Sequence, residues 1–121
     1  MSEDILDHEI ISSLRTIGKS SPKKDFFGDL LKIFERQGYD LIEGIREANQ
    51  QKNLNMLFHS AHKLKGSSKC IGAAKLTSYC KELQNLSENT EYPLQRCLEL
   101  EESILESFRL SLKELKSIHL Q

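Results

Sequence analysis

The residues best equipped for chemistry form one short run, His62-Lys63-Leu64-Lys65-Gly66-Ser67-Ser68, followed by Lys69. A helix turns about 100° per residue, so Lys65, Gly66 and Lys69 lie within roughly 60° of His62 on one face. Leu54, Leu57, Ala61, Leu64 and Ile71 gather roughly 80 to 180° away, on the side that must be buried. His62 therefore stands on the outside of a packed helix, among ammonium groups and beside a residue with no side chain. A neutral imidazole is a nucleophile toward phosphorus near neutral pH. Phosphorylating it adds negative charge, which Lys65 and Lys69 are placed to offset. Phosphoryl transfer needs positioning and charge stabilisation more than covalent machinery. Gly66 costs helix stability, which points to close approach by a partner; tight packing on another helix is the competing explanation. Ser67 and Ser68 offer hydroxyls to a phosphate oxygen, or fit as small residues against a neighbouring helix. Ser68 falls in the apolar sector, which favours the second role.

The surrounding charge agrees with this chemistry. From Ala48 through Lys81 there is no Asp or Glu, and Lys52, Lys63, Lys65, Lys69, Lys75 and Lys81 give that stretch +6, against −7 elsewhere in a chain of net charge −1. Such a field attracts an anionic partner or stabilises an added anion. The excess is modest and the stretch holds no arginine, which argues against nucleic acid. His59 and His62, spaced i, i+3, would need carboxylates to complete a metal site, and none is near in sequence. No P-loop, kinase glycine-rich loop or acidic metal cluster accompanies His62. The chain is therefore expected to have no kinase activity of its own and no cofactor, and whether it counts as an enzyme is left open.

Four long amphipathic segments and a short leading one must position this run. Ile5, Leu6, Ile10, Ile11, Leu14 and Ile17 predict a lid helix over about 5–17, ended by Gly18 and Ser20-Ser21-Pro22. Phe27, Leu30, Leu31, Phe34, Leu41, Ile45 and Ala48 mark a helix over about 23–51, in which Gly38 signals a bend or a close helix contact. Asn53 is a candidate N-cap for a helix over 54–71, and Gly72 fits the left-handed position that ends it. The next helix, about 73–88, then begins almost at once as an antiparallel neighbour. Pro93 suits the first turn of a last helix over about 93–119. The 121 residues read as a single all-α domain, an up-down-up-down antiparallel four-helix bundle with a short N-terminal lid.

No apolar run is long enough to span a bilayer, the acidic N-terminus lacks a basic signal-peptide start, and no lipidation motif is present. Cys70, Cys80 and Cys97, without CxxC spacing, are expected to be buried reduced thiols of a cytoplasmic protein. A monomer is the simplest assembly.

The run Leu57-Phe58-His59-Ser60-Ala61-His62-Lys63-Leu64-Lys65-Gly66-Ser67-Ser68, then Ile71-Gly72-Ala73 and Leu76, resembles the histidine-containing phosphotransfer (HPt) family, whose pattern is A-H-x-L-K-G-S/A-S/A with a spaced L/I-G-A and Leu. The resemblance implies a phosphorelay intermediate in two-component signalling. His62 would accept a phosphoryl group from a receiver-domain aspartate and pass it to another, with Lys65 orienting or neutralising the phosphate and Gly66 leaving room for the receiver. Partners would be receiver domains of hybrid sensor kinases and response regulators, with Mg²⁺ held only on the receiver. Ile10, Ile11, Leu14, Ile17 and Phe58 are candidate apolar docking contacts. The alternative is an HPt-like binding module that occupies a receiver surface without transfer. Lys63 stands where Thr or Ser is common, and Gln84 follows Leu83 where Glu is frequent; neither is expected to touch the phosphate-handling residues.

Overall fold

The computed structural model describes residues 4–20 and 25–121, all helix, turn or loop. Five helices run in the order α1 (His8–Ser20), α2 (Phe26–Gln51), α3 (Leu54–Ile71), α4 (Ala74–Leu86) and α5 (Leu94–His119). α2 packs on α3 and α5, and α4 packs on α3 and α5, while the diagonal pairs stay apart. That is the closed ring of a four-helix bundle. Among the described residues α1 packs on the helices α2 and α3 and lies over the edge they share.

Short connections with specific cap chemistry impose this topology. Lys52 takes a left-handed φ of 52° after α2, and its N–H donates to the Ala48 carbonyl. Asn53 then caps α3 by accepting from the Met56 N–H at 3.1 Å. At the other end Gly72 has φ 81°, a conformation that penalises any residue with a Cβ. The Ser68 hydroxyl stands 2.8 Å from the Thr77 hydroxyl across the α3–α4 seam. Ser68 is fully buried, in the structural role its sector suggested.

The core runs through Leu57, Ala61 and Leu64 of α3, Leu76, Cys80 and Leu83 of α4, Ile45 of α2 and Ile104, Phe108 and Leu115 of α5, all fully buried. Each large aliphatic side chain so buried contributes about 1.5–3 kcal/mol. α2 runs unbroken through Gly38. A Cβ there would collide with the Phe108 ring, so the glycine lets α2 and α5 meet closely. Asn49, 2% exposed, ties α2 to α5 and the preceding loop. Its amide donates to Glu101 Oε1 at 2.8 Å, and its carbonyl accepts from the Tyr92 hydroxyl.

The lid differs from the expected 5–17. Asp7 caps it, its Oδ1 accepting from Glu9 N at 3.1 Å and Ile10 N at 3.3 Å. The helix therefore starts at His8 and runs through Gly18 to Ser20. Residues 5–7 instead form a strap on the α3–α4 turn: Asp7 N donates to the Gly72 carbonyl at 2.7 Å and Lys75 N to the Ile5 carbonyl at 3.3 Å. α2 begins three residues later than expected because Asp25 is its cap, accepting from Gly28 N at 3.1 Å. The Ser21, Pro22 and Lys23 signals lie outside the described residues. His119 Nε2 reaches Asp25 Oδ1 at 2.8 Å, fastening the end of α5 to the start of α2. The His119 hydrogen bond, and then that from Gly28, hold the Asp25 carboxyl below the usual carboxylate range. α4 ends at Leu86 rather than 88, and Pro93 sits just before α5 rather than inside its first turn.

Candidate functional site

α3 presents His62 to solvent because Leu57, Ala61 and Leu64 are held in the core. The ring has a defined orientation. It stacks on Phe58, one turn earlier, with centroids 5.5 Å apart and planes 9° apart. Its Nδ1 lies 3.3 Å from Oε1 of Gln84 on α4. An amide oxygen only accepts, so the tautomer protonated on Nδ1 is the one that hydrogen-bonds here, and it leaves the Nε2 lone pair free. The imidazole is thus fixed on two sides, by Phe58 and by Gln84, on an exposed residue.

Gln84 corrects the sequence reading, which placed it clear of the phosphate-handling residues. A signal for it existed. His62 and Gln84 both stand about eleven residues from the Gly72–Ala73 turn, and a tight turn between antiparallel helices sets such residues level. Counting outward from that turn would have paired them.

Gly66 is exposed, and a Cβ built on it meets nothing within 4 Å. Packing against another helix is therefore not its reason; the space above it is open. Lys69 is exposed on the same face. Lys65 is half-buried on the α4 side, close enough to the buried Cys80 that its charge partly counters the upward push of burial on that thiol. Among the described residues no carboxylate pairs with Lys63, Lys65 or Lys69. Their charges are uncommitted. Ser67 lies on the α2 side of α3, in the wall of a groove rather than beside the imidazole.

That groove, about 430 Å³, runs between α1, α2 and α3. Leu14, Phe26, Leu30 and Ile33 line it with Gly66 and Cys70, so it opens one turn from His62. The proposed apolar contacts divide on this surface. Leu14 lines the groove, Ile17 is 55% exposed beside it, and Phe58 is half-buried under the imidazole. Ile10 is half-buried and packs toward Gly72. Ile11 is 3% exposed and belongs to the core, so it is not available to a partner. Leu30 is a groove residue that periodicity assigned to the helix's own core stripe, and Ile33 lines the groove with it. Cys80 and Cys97 are buried free thiols, whereas Cys70 is exposed, contrary to expectation.

The Hpt domain family model matches residues 29–118. The chain belongs to the Hpt domain family. Within that family, the phosphorelay intermediate protein YPD1 of Candida albicans is 27% identical over 88 residues, covering 73% of this chain and 47% of that protein. The Hpt chain thus spans about half the length of the curated relative it matches. Histidine-containing phosphotransfer protein B (HptB) of Pseudomonas aeruginosa PAO1 has a similar structure, with a TM-score of 0.85 and 27% identity over 98% of this chain and 97% of that one. The maize histidine-containing phosphotransfer protein ZmHP2 shares the fold, with a TM-score of 0.80 and 18% identity over 97% of this chain and 88% of that one. Among the described residues of this Hpt domain, no helix is long and apolar enough to cross a membrane. Nor do three His, Cys, Asp or Glu side chains gather there to hold a metal ion.

Proposed function

We propose that this Hpt domain is a phosphorelay intermediate in which His62 carries the phosphoryl group between receiver domains. The observation that carries the reading is an exposed imidazole with Nδ1 against Gln84 and open space over Gly66. The lone pair of Nε2 attacks the phosphorus of a receiver's aspartyl phosphate. The P–N bond forms, the P–O bond to the aspartate breaks, and the carboxylate leaves with the bonding electrons. Nδ1 keeps its proton on Gln84 Oε1, so the phosphorylated ring carries its positive charge against an amide dipole. Lys65 and Lys69 offset the phosphoryl oxygens. Donation to a second receiver reverses the step.

The chain's own contribution is the nucleophile and the surface that aligns it. The Mg²⁺ and acidic carboxylates that such a transfer uses belong to the receiver. Leu14, Ile17, Leu30, Ile33 and Phe58 form the apolar part of the docking surface, and Gly66 lets receiver backbone approach the imidazole. The receiver domains of hybrid sensor kinases and response regulators are the partners that fit, and a monomer presents this surface whole.

Incubation with a phosphorylated receiver tests the reading. An acid-labile, base-stable label is expected on His62, and His62→Gln is expected to abolish it while leaving helicity intact, because an exposed site contributes little packing. Absence of label on the wild-type chain would overturn transfer and leave a binding module.

A further inference from the structure

A second groove flanks the first. It holds about 360 Å³ and is lined by Gln37, Asp40, Leu41, Lys63 and Ser67. Gln37 and Ser67 also line the apolar groove, so the two meet along one ridge. Their chemistry differs. The first is walled by Leu, Ile and Phe side chains; the second holds one carboxylate and one ammonium, both exposed. Among the described residues neither Asp40 nor Lys63 forms an ion pair.

The register of α2 against α3 places this pair near the axial level of His62. Gly44 lets α2 approach Ser60, whose hydroxyl would lie 2.5 Å from a Cβ at that position. Gln37 and Ser67 face each other farther along the same seam. Between these contacts Asp40 stands level with Lys63 and Leu64, about 3 Å along the axis from the level of His62. Lys63 follows His62 in the chain and Ser67 follows Gly66, and both line the groove, so it borders the face that carries His62 and Gly66.

We infer that the Asp40–Lys63 groove sorts receiver domains by charge: it accepts a receiver loop carrying an acidic residue opposite Lys63 and a basic residue opposite Asp40. The inference rests on the phosphorelay reading for the identity of the partner and goes beyond it by assigning discrimination to two residues outside the phosphate-handling set. The apolar groove contributes contact area that any receiver with an exposed apolar patch can use. Unpaired opposite charges at its border reward one arrangement and penalise the reverse, since like charges brought together at an interface cost far more than a missing pair.

Binding tests the inference without requiring transfer. Dissociation constants are measured for the wild-type chain, Lys63→Glu, Asp40→Lys and the double reversal against a panel of isolated receiver domains in the beryllofluoride-bound form, at low and high salt. Lys113→Glu, an exposed charge reversal on α5, is the control. Each single reversal is expected to weaken the preferred receiver by about tenfold at low salt and to reorder the panel. The double reversal is expected to favour receivers whose loop charges are inverted, and high salt to narrow every difference. An unchanged ranking of receivers in both single variants, or an equal effect from Lys113→Glu, would overturn the inference. Labelling of His62 is followed separately. If label appears but the ranking does not move, only the sorting role fails; if receivers bind and sort by charge but no label appears, only the transfer reading fails.

Discussion

His62 Nδ1 and Gln84 Oε1 lie 3.3 Å apart, a contact between the nucleophile's helix and the next helix of the bundle. With the proton on Nδ1 the contact leaves Nε2 for the partner, so in the proposed transfer α4 takes part without touching the phosphate. Gln84→Ala is expected to slow phosphotransfer about fivefold, the value of one hydrogen bond of ~1 kcal/mol. Nitrogen NMR of the imidazole distinguishes positioning from mere packing. In the wild type the protonated nitrogen is expected to be Nδ1, and in Gln84→Ala the two tautomers are expected to mix. A single unchanged tautomer in the variant would remove the proposed role.

The open space over Gly66 separates stability from function at one position. Gly66→Gln adds a better helix former where nothing is displaced, so it is expected to stabilise the fold by up to about 1 kcal/mol. The same side chain would project into the region a receiver must occupy, and receiver affinity is expected to fall at least about tenfold, the equivalent of 1.4 kcal/mol. Thermal melting and a binding titration on one preparation check both halves.

Ile11 and Ile17 share a helix and differ in what they touch. Ile11 is 3% exposed and Ile17 55% exposed. Ile11→Ala is expected to cost about 2–4 kcal/mol of stability, with receiver affinity unchanged once the folded fraction is taken into account. Ile17→Ala is expected to leave the unfolding midpoint within about 0.5 kcal/mol of wild type and to weaken receiver binding. Paired denaturant melts and binding isotherms decide it.

The cysteines divide in the same way. Burial pushes the Cys80 thiol up to about 12 and the Cys97 thiol up to about 11, whereas Cys70 is exposed in the groove wall. A maleimide is expected to modify Cys70 in the native protein and to reach the other two only on unfolding, as mass spectrometry of timed samples would show. Both raised groups favour the neutral thiol in the folded state, so their contribution to stability is intact below the ordinary thiol pKa near 9. It is lost as pH rises from there toward the folded values, because the unfolded chain ionises first. Alkaline denaturation is expected to shift to higher pH in the Cys80→Ala, Cys97→Ala pair, relative to each protein's own neutral-pH stability.

Much of the molecule was written locally. The 3.6-residue apolar period, Asn53 and Gly72 locate α3 with the bounds observed, because a cap and a left-handed glycine act on their own few residues. The exposure of His62 and Gly66 follows from the same period, and the acid-free stretch around them is plain in the residues themselves. The start of the lid was misplaced for a related reason. Its apolar period begins at Ile5, but the backbone of residues 5–7 is committed to the α3–α4 turn, and a periodic pattern does not report such a commitment.

Periodicity states which way a residue faces, and only the tertiary structure decides what stands opposite. It put Gln84 against His62 and Phe108 against Gly38, and it sank Ile11 into the core while leaving Ile17 outside. It also joined Asp40 to Lys63 in one groove. These pairings depend on the register and separation of helices, which the packing of whole faces sets and no short stretch of chain contains. The sequence by itself determined the helix that carries His62 and the face it occupies; the bundle decided what stands against its ring and which grooves border it.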